Sequence, residues 1–187
     1  MNLLLSPHND DEVLFAAFTI MRVKPLVVIA YDSVLQVQRG NDFAGVQERR
    51  QESLDGMTAL GVEAPYFLGL SDENVDRDEM CAALLAMSAR FGPFEQVFAP
   101  IVYPSSGNRH HDLVGEVARD MWSDKVVGYH TYCSLGKMSS DFPVSHEWWM
   151  VRKKLRAMSL YESQIRLADT RPHFTRDIWE YYDRSVD

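Results

Sequence analysis

The sequence LLLSPHNDDEVL, residues 3–14, joins a short apolar run to a polar cluster and then returns to apolar residues. The run Leu3–Ser6 has the length and composition of a buried β-strand. The segment Asp11–Arg22 has apolar residues at the spacing of a helix that packs one face on a core. A histidine and three acidic residues therefore lie at the junction of a predicted strand and a predicted helix. This strand-to-helix unit sets the expected fold.

The same alternation continues along the rest of the chain. Four further apolar runs are predicted to be strands, namely Pro25–Tyr31, Ala64–Leu68, Gln96–Pro100 and Lys125–Tyr132. Helical spacing occurs in four further segments, namely Gly45–Leu60, Arg77–Phe91, His111–Trp122 and Trp148–Gln164. Parallel strands need crossover connections, and those connections cover both faces of a sheet. We therefore predict an α/β, three-layer, Rossmann-like fold with a mostly parallel sheet.

Composition narrows the classes of protein to which the chain can belong. With 187 residues, of which 46% are hydrophobic, we expect a single domain that spans residues 1–187. A net charge of −8 argues against nucleic acid as a partner, because backbone binders need basic surface. No apolar run approaches the ~20 residues of a membrane span, and the N-terminus lacks the pattern of a signal peptide. We expect a cytoplasmic protein without a membrane span, and the oligomeric state is unknown.

The polar cluster after the first strand lies where open α/β sheets bind their ligands, at the carboxyl ends of the strands. One explanation is structural: Asn9 or Asp10 caps the next helix, and Asp11 and Glu12 complement its dipole. That explanation leaves His8 without a role. It also leaves two adjacent aspartates whose repulsion is costly unless a cation lies nearby. The cluster therefore favours a metal site.

A second polar stretch, SSGNRHHDLVG at residues 105–115, follows the apolar run QVFAPIVYP. Adjacent histidines point in different directions, so at most one of His110 and His111 is expected to join His8 and Asp11. Two histidine nitrogens and one carboxylate oxygen, with an open position for water, are the donors of a catalytic zinc site. Asp10 is then the spare carboxylate that can accept a proton from that water.

Several blocks of the sequence resemble one known family. PHNDDE at residues 7–12 resembles the PHxDDE signature of the LmbE-like or PIG-L-like zinc-dependent N-acetylglucosaminyl deacetylases. Similar blocks are RRQESLDGMTALGV at 49–62, FLGLSDE at 67–73 and KKLRAMSLYESQ at 153–164, so the resemblance covers most of the chain. It implies a metal-dependent hydrolase that removes the N-acetyl group from an N-acetylglucosamine-containing or related amino-sugar conjugate, which would be a small-molecule partner.

The resemblance also implies roles for individual residues of the metal site. By position, the metal ligands fall on His8, Asp11 and His111, and the general base falls on Asp10. The implied cofactor is Zn²⁺, with Fe²⁺ as the alternative in a reducing cytoplasm. His111 is the implied third ligand because DLVG follows it, as a similar helix start follows the last histidine of the family's His-Pro-Asp-His stretch.

Two further residues fall at family positions that contact the sugar, Arg49 and Asp72. Without the resemblance, Arg49 would be explained by an ion pair with Glu52 on a solvated helix face, and Asp72 by an ordinary turn. Glu12 has two explanations as well, complementation of the helix dipole or a hydrogen bond to a metal ligand. The segment Leu135–His146 has the composition of a loop that could border the site.

The histidine stretch departs from the family pattern. In the register that makes His111 the ligand, Asn108 replaces the first histidine of the family, which helps to stabilise the oxyanion, and His110 replaces the aspartate. A register with a two-residue deletion would make His110 the first histidine instead. This departure keeps one alternative open, an inactive or weakly active metal-bearing module that binds sugar conjugates. The resemblance implies a second alternative, an amidase that acts on a thiol conjugate, because relatives of the family also cleave such amides.

Overall fold

The computed structural model describes residues 1–32, 37–39, 42–101, 108–131, 147–166, 171–176, 180 and 182–184. The predicted loop Leu135–His146 lies outside the described residues, as does Tyr132 at the end of the last predicted strand. No helix in the described ranges is long and apolar enough to cross a membrane.

The described residues contain eight strands, which are β1 (Leu3–His8), β2 (Leu26–Tyr31), β3 (Val37–Arg39), β4 (Asp42–Ala44), β5 (Tyr66–Leu70), β6 (Val97–Pro100), β7 (Val126–Tyr129) and β8 (Tyr182–Arg184). Six of them form one sheet in the order β5-β2-β1-β6-β7-β8. All neighbours in it are parallel except β7 and β8. The predicted mostly parallel α/β sheet is confirmed. The antiparallel β3–β4 pair and β8 were not expected, because three residues are too few to show a period of two.

Within the described ranges, seven α-helices accompany the strands, and they are α1 (Asp11–Val23), α2 (Val46–Leu60), α3 (Arg77–Phe91), α4 (Arg109–Trp122), α5 (Trp148–Met158), α6 (Glu162–Arg166) and α7 (Arg171–Arg176). The predicted helix Trp148–Gln164 is wrong in its extent, because α5 ends at Met158. There the Ser159 hydroxyl donates to the Arg156 carbonyl at 2.7 Å, a local bond that competes with continuation of the helix.

The helices cover both faces of the sheet and give three layers. Helices α1, α2 and α5 pack on one face around a core that includes Leu14, Phe18, Met57 and Met150. Helices α3 and α4 pack on the other face around Met80, Leu84, Val114 and Val117. Strand β1 is buried on both sides, since Leu4 belongs to the first core and Leu3 and Leu5 belong to the second.

The strand order places a crevice next to β1. From β1 the chain moves outward through β2 to β5, and it then returns to the other side of β1 to form β6 and β7. The direction of winding therefore reverses between β1 and β6, and ligands bind at such a switch point in open α/β sheets. His8 ends β1, and α4 is the first helix described after β6. The fold thus brings the two polar stretches to the same edge of the sheet.

A buried ion pair connects α1 to α5 and to the C-terminal part of the chain. The Lys154 ammonium donates to the Leu14 carbonyl at 2.7 Å and to the Glu180 carboxylate at 2.8 Å. The same carboxylate accepts from the Phe18 amide at 2.9 and 3.1 Å. Leu14 and Phe18 are four residues apart, so a regular helix would pair their carbonyl and amide. In this structure the Leu14 carbonyl and the Phe18 amide also bond to the buried charged side chains of Lys154 and Glu180.

Candidate metal centre

Three side chains meet at the carboxyl end of β1. Nδ1 of His8 and Nε2 of His111 each lie 3.1 Å from Oδ2 of Asp11. The same two ring nitrogens are 3.2 Å apart. The side chains of Asp11 and His111 are fully buried, and that of His8 is 14% exposed. These three residues form a cluster of the kind that holds a metal ion.

The cluster fits a divalent ion in geometry and in charge. Two donors held ~2.1 Å from a tetrahedral zinc ion are about 3.4 Å apart, which is close to the separations of 3.1 to 3.2 Å between the three donor atoms. Oδ1 of Asp11 is buried and has no hydrogen-bond partner in the described part of the chain. A buried carboxylate oxygen without a partner is costly unless a cation lies beside it.

The surroundings of His8 and Asp11 favour the protonation states that bind a metal. Burial lowers the pKa of His8, which favours the neutral ring. Burial alone would raise the pKa of Asp11, but the charge and hydrogen bonds of the His111 and His8 rings outweigh it. They hold the pKa of Asp11 well below its usual range. The site therefore favours a neutral His8 beside an ionised Asp11.

Hydrogen bonds to the ring and to the backbone amide orient His111. Nδ1 of His111 lies 2.9 Å from the hydroxyl of Thr131, shortly after β7, which leaves Nε2 to face Asp11. Asn108 caps α4, and its side-chain oxygen accepts from the amides of His110 at 3.1 Å and His111 at 3.4 Å. Helix α4 therefore begins two residues before the predicted start at His111. In this chain the Asn108 side chain is engaged as a helix cap.

Asp10 lies beside the three clustered side chains. Its side chain is 6% exposed, and Oδ1 is 3.8 Å from Nη2 of Arg49. Burial and the charge of Asp11 raise the pKa of Asp10 to about 7, against the opposing effect of the Arg49 guanidinium. A carboxyl group with a pKa near neutrality can both accept and return a proton.

Glu12 holds the backbone at Asp10 in place. Its carboxylate accepts from the Asp10 amide at 2.9 Å, the Ser6 hydroxyl at 3.3 Å and the Tyr161 hydroxyl at 2.7 Å. Burial raises the pKa of Glu12, and the hydrogen bond from Tyr161 opposes that shift. Glu12 lies in the first turn of α1, as the dipole explanation expects, and none of these three bonds goes to a proposed metal ligand.

The structure contradicts one half of the structural explanation of the polar cluster, the capping of α1 by Asn9 or Asp10. Asp10 occupies the N-cap position of α1, but its side chain makes no capping hydrogen bond. The side-chain amide of Asn9 donates to the hydroxyl of Ser53 at 3.3 Å. Asp11 and Glu12 do lie in the first turn of α1, as the other half of that explanation expects.

Arg49 and Asp72 both border the centre. Arg49 is 8% exposed, and Nη2 donates to the Asn9 carbonyl at 3.4 Å. Glu52 accepts from the Ser163 amide at 2.7 Å, so the expected solvated pair of Arg49 and Glu52 is wrong. Asp72 follows β5 and lies near His110, since burial lowers the pKa of His110 and the charge of Asp72 opposes that shift. Arg49 therefore borders the centre on the side of Asp10, and Asp72 borders it on the side of His110.

Three supporting residues were not identified from the sequence, namely Ser6, Thr131 and Tyr161. Thr131 could have been found, because it follows β7 at the edge of the sheet where ligands bind. Tyr161 lies within the quoted block KKLRAMSLYESQ, but no spacing shows that its hydroxyl reaches Glu12. Contacts of this kind depend on how the layers pack.

Residues 3–122 match the sequence profile of the family described as PIG-L: GlcNAc-PI de-N-acetylase. A comparison with curated proteins found no matching relative.

Among solved structures, the N,N'-diacetylchitobiose deacetylase from Pyrococcus horikoshii is similar, with a TM-score of 0.74 and 19% identity over 95% of this chain and 74% of that one. A deacetylase of teicoplanin biosynthesis has a TM-score of 0.72 and 18% identity over 94% and 88% of the two chains. GalB, the 4-carboxy-2-hydroxymuconate hydratase from Pseudomonas putida KT2440, has a TM-score of 0.66 and 17% identity over 94% and 82%. At these identities the likeness shows the fold, and the hydratase illustrates that one fold hosts different reactions.

Proposed function

The chain belongs to the PIG-L (GlcNAc-PI de-N-acetylase) family, and from this membership we propose that it is a metal-dependent N-deacetylase. Its substrate is an N-acetylglucosamine-containing or related amino-sugar conjugate, and the reaction is hydrolysis of the acetamide. The observation that carries the proposal is the cluster of His8, Asp11 and His111 beside the carboxyl group of Asp10. The two similar deacetylase structures support the substrate class.

His8, Asp11 and His111 would hold the metal ion. Two imidazoles and one carboxylate suit Zn²⁺, and Fe²⁺ is the alternative in a reducing cytoplasm. When bound, the ion supplies positive charge that acidifies water and polarises the acetyl carbonyl. The orphaned Oδ1 of Asp11 supports the assignment, because this buried oxygen has no other partner among the described residues.

Asp10 performs the proton transfers in this proposal. Its carboxylate takes a proton from the attacking water, and it then returns that proton to the nitrogen of the departing amine. The products are acetate and the free amino sugar. The hydrogen bond from the Asp10 amide to Glu12 fixes the backbone of the base, and Arg49 favours its ionised form. Arg49 and Asp72 are proposed to bind the sugar, since both border the centre.

We further propose that residues 1–187 form one deacetylase domain that acts in the cytoplasm on a small-molecule partner. Nucleic acid is not a proposed partner, and the net charge of −8 supports that choice.

The test is acetate release from a panel of N-acetylglucosaminyl compounds, with metal content measured on the same preparation. We expect acetate from at least one compound, about one metal ion per chain, and loss of activity after treatment with a chelator. Bound metal without acetate from any compound would favour the sugar-conjugate-binding module. Cleavage of a thiol-conjugate amide, with none of the amino-sugar compounds, would overturn the substrate class.

A further inference from the structure

The hydrogen bonds of His8 extend beyond the three clustered side chains. Its Nδ1 faces Asp11 and His111, while Nε2 lies 3.0 Å from Nδ1 of His110. A hydrogen-bonded path therefore runs from the three clustered side chains through the ring of His8 to the ring of His110.

The proton positions along this path are set by the chemistry of His8. If Nδ1 binds a metal ion, it carries no proton, so the neutral ring must hold its proton on Nε2. That N–H needs an acceptor, and Nδ1 of His110 is in hydrogen-bonding range of it. An accepting Nδ1 places the His110 proton on Nε2, where it can be donated in turn.

The ring of His110 is held in one orientation by packing. Its centroid lies 4.5 Å from that of Tyr31 and 5.0 Å from that of His8, with an interplanar angle of 70° to His8. Tyr31 is 1% exposed and lies opposite His8 in the register of β1 and β2. The His110 backbone is fixed as well, since its amide donates to the cap residue Asn108.

We propose that His110 is a positioning residue that fixes the tautomer and ring orientation of His8, so that Nδ1 points at the metal. The inference rests on the proposed metal centre and adds a residue to it. Groups that accept the second N–H of a metal-binding histidine raise metal affinity by about 10- to 100-fold. A carboxylate or carbonyl is the usual acceptor, and in this chain a second histidine takes that place.

The test is the Zn²⁺ dissociation constant, measured by competition with a chromophoric chelator at fixed pH. The proteins compared are the wild type, His110→Ala, His110→Asn and a control, Arg109→Ala, which changes an exposed neighbour in the same turn of α4. We expect His110→Ala to weaken Zn²⁺ binding by about 10- to 100-fold. His110→Asn should keep most of the affinity, because its side-chain oxygen can accept the bond from His8. Arg109→Ala should bind as the wild type does.

The outcomes separate this inference from the proposed function. Unchanged affinity in His110→Ala overturns the inference alone. Equal losses in His110→Ala and His110→Asn overturn it too, since the bulk of the ring and not its acceptor would then matter. A wild-type protein that binds no Zn²⁺, Co²⁺ or Fe²⁺ overturns the metal centre itself, and the inference with it.

Discussion

Asp10 and Asp11 are neighbours in the chain, but their carboxyl groups have opposite surroundings. Asp11 lies 3.1 Å from a nitrogen of each of two imidazole rings, whereas Asp10 has a guanidinium nitrogen at 3.8 Å. The two rings lower the pKa of Asp11, whereas burial and the charge of Asp11 raise the pKa of Asp10 to about 7 against the opposing effect of Arg49. This difference between neighbours separates a metal ligand from a residue that moves protons.

The raised pKa of Asp10 predicts a pH-dependent cost to the stability of the metal-free protein. A carboxyl group with a folded-state pKa of about 7 and an unfolded value near 3.9 destabilises the fold increasingly as pH rises between those values. In the presence of a chelator, Asp10→Asn should therefore stabilise the protein more at pH 8 than at pH 5, by roughly 2.5 kcal/mol. The free energy of unfolding in urea at the two pH values measures this difference.

The control for this comparison is Asp124→Asn, since Asp124 is exposed in a turn that follows α4. The effect of this control on stability at the two pH values is the baseline for Asp10→Asn. If Asp10→Asn depends on pH no more than the control does, the carboxyl group of Asp10 is already ionised in the fold, and the explanation given for its pKa is wrong.

At the scale of elements, the attachment of α5 to α1 depends on a buried ion pair. Lys154 and Glu180 have fully buried side chains, and they bond to the Leu14 carbonyl and the Phe18 amide of α1. Removal of one member of a buried pair leaves a charge without a partner in the interior. We therefore expect Lys154→Met to lower the free energy of unfolding by about 3–5 kcal/mol, measured by denaturation in urea.

Two further variants test whether the loss of stability comes from the ion pair. Arg152→Met changes an exposed residue of the same helix and should stay within about 0.5 kcal/mol of the wild type. The double variant with Lys154→Met and Glu180→Gln should lose less stability than Lys154→Met alone, because no charge is left unpaired. A single variant as stable as the Arg152→Met control would contradict the role given to the pair.

The longer elements could be predicted from the sequence, and the shorter ones could not. The apolar runs that became β1, β2 and β6 carry enough residues to show burial on both faces, and α1 and α3 show full helical periods. Strand β8 and the β3–β4 pair have three residues each, too few for any period. The start of α4 was missed because the capping role of Asn108 depends on its hydrogen bonds, which the apolar spacing does not show.

At the scale of the whole molecule, the centre joins residues that are about a hundred positions apart in the chain, such as His8 and His111. The sequence could predict this meeting because parallel strands bring their carboxyl ends to one edge of the sheet. It could not predict the supporting bonds of Tyr161 and His110, because these depend on the distance between layers. The match of residues 3–122 to the family profile agrees with the resemblance seen in PHNDDE, and the residue roles in the centre remain predictions.

The most direct test of the central claim compares Asp10→Asn with Asp11→Asn, measuring bound metal per chain and the rate of acetate release on the same preparations. Asp10→Asn removes the proton acceptor and keeps the ligands, so it should retain the metal while its rate falls by ~10²–10⁴. Asp11→Asn removes a charged ligand oxygen and should lose metal and activity together. Near-normal turnover in Asp10→Asn, or loss of its metal as readily as in Asp11→Asn, would contradict the account of the site.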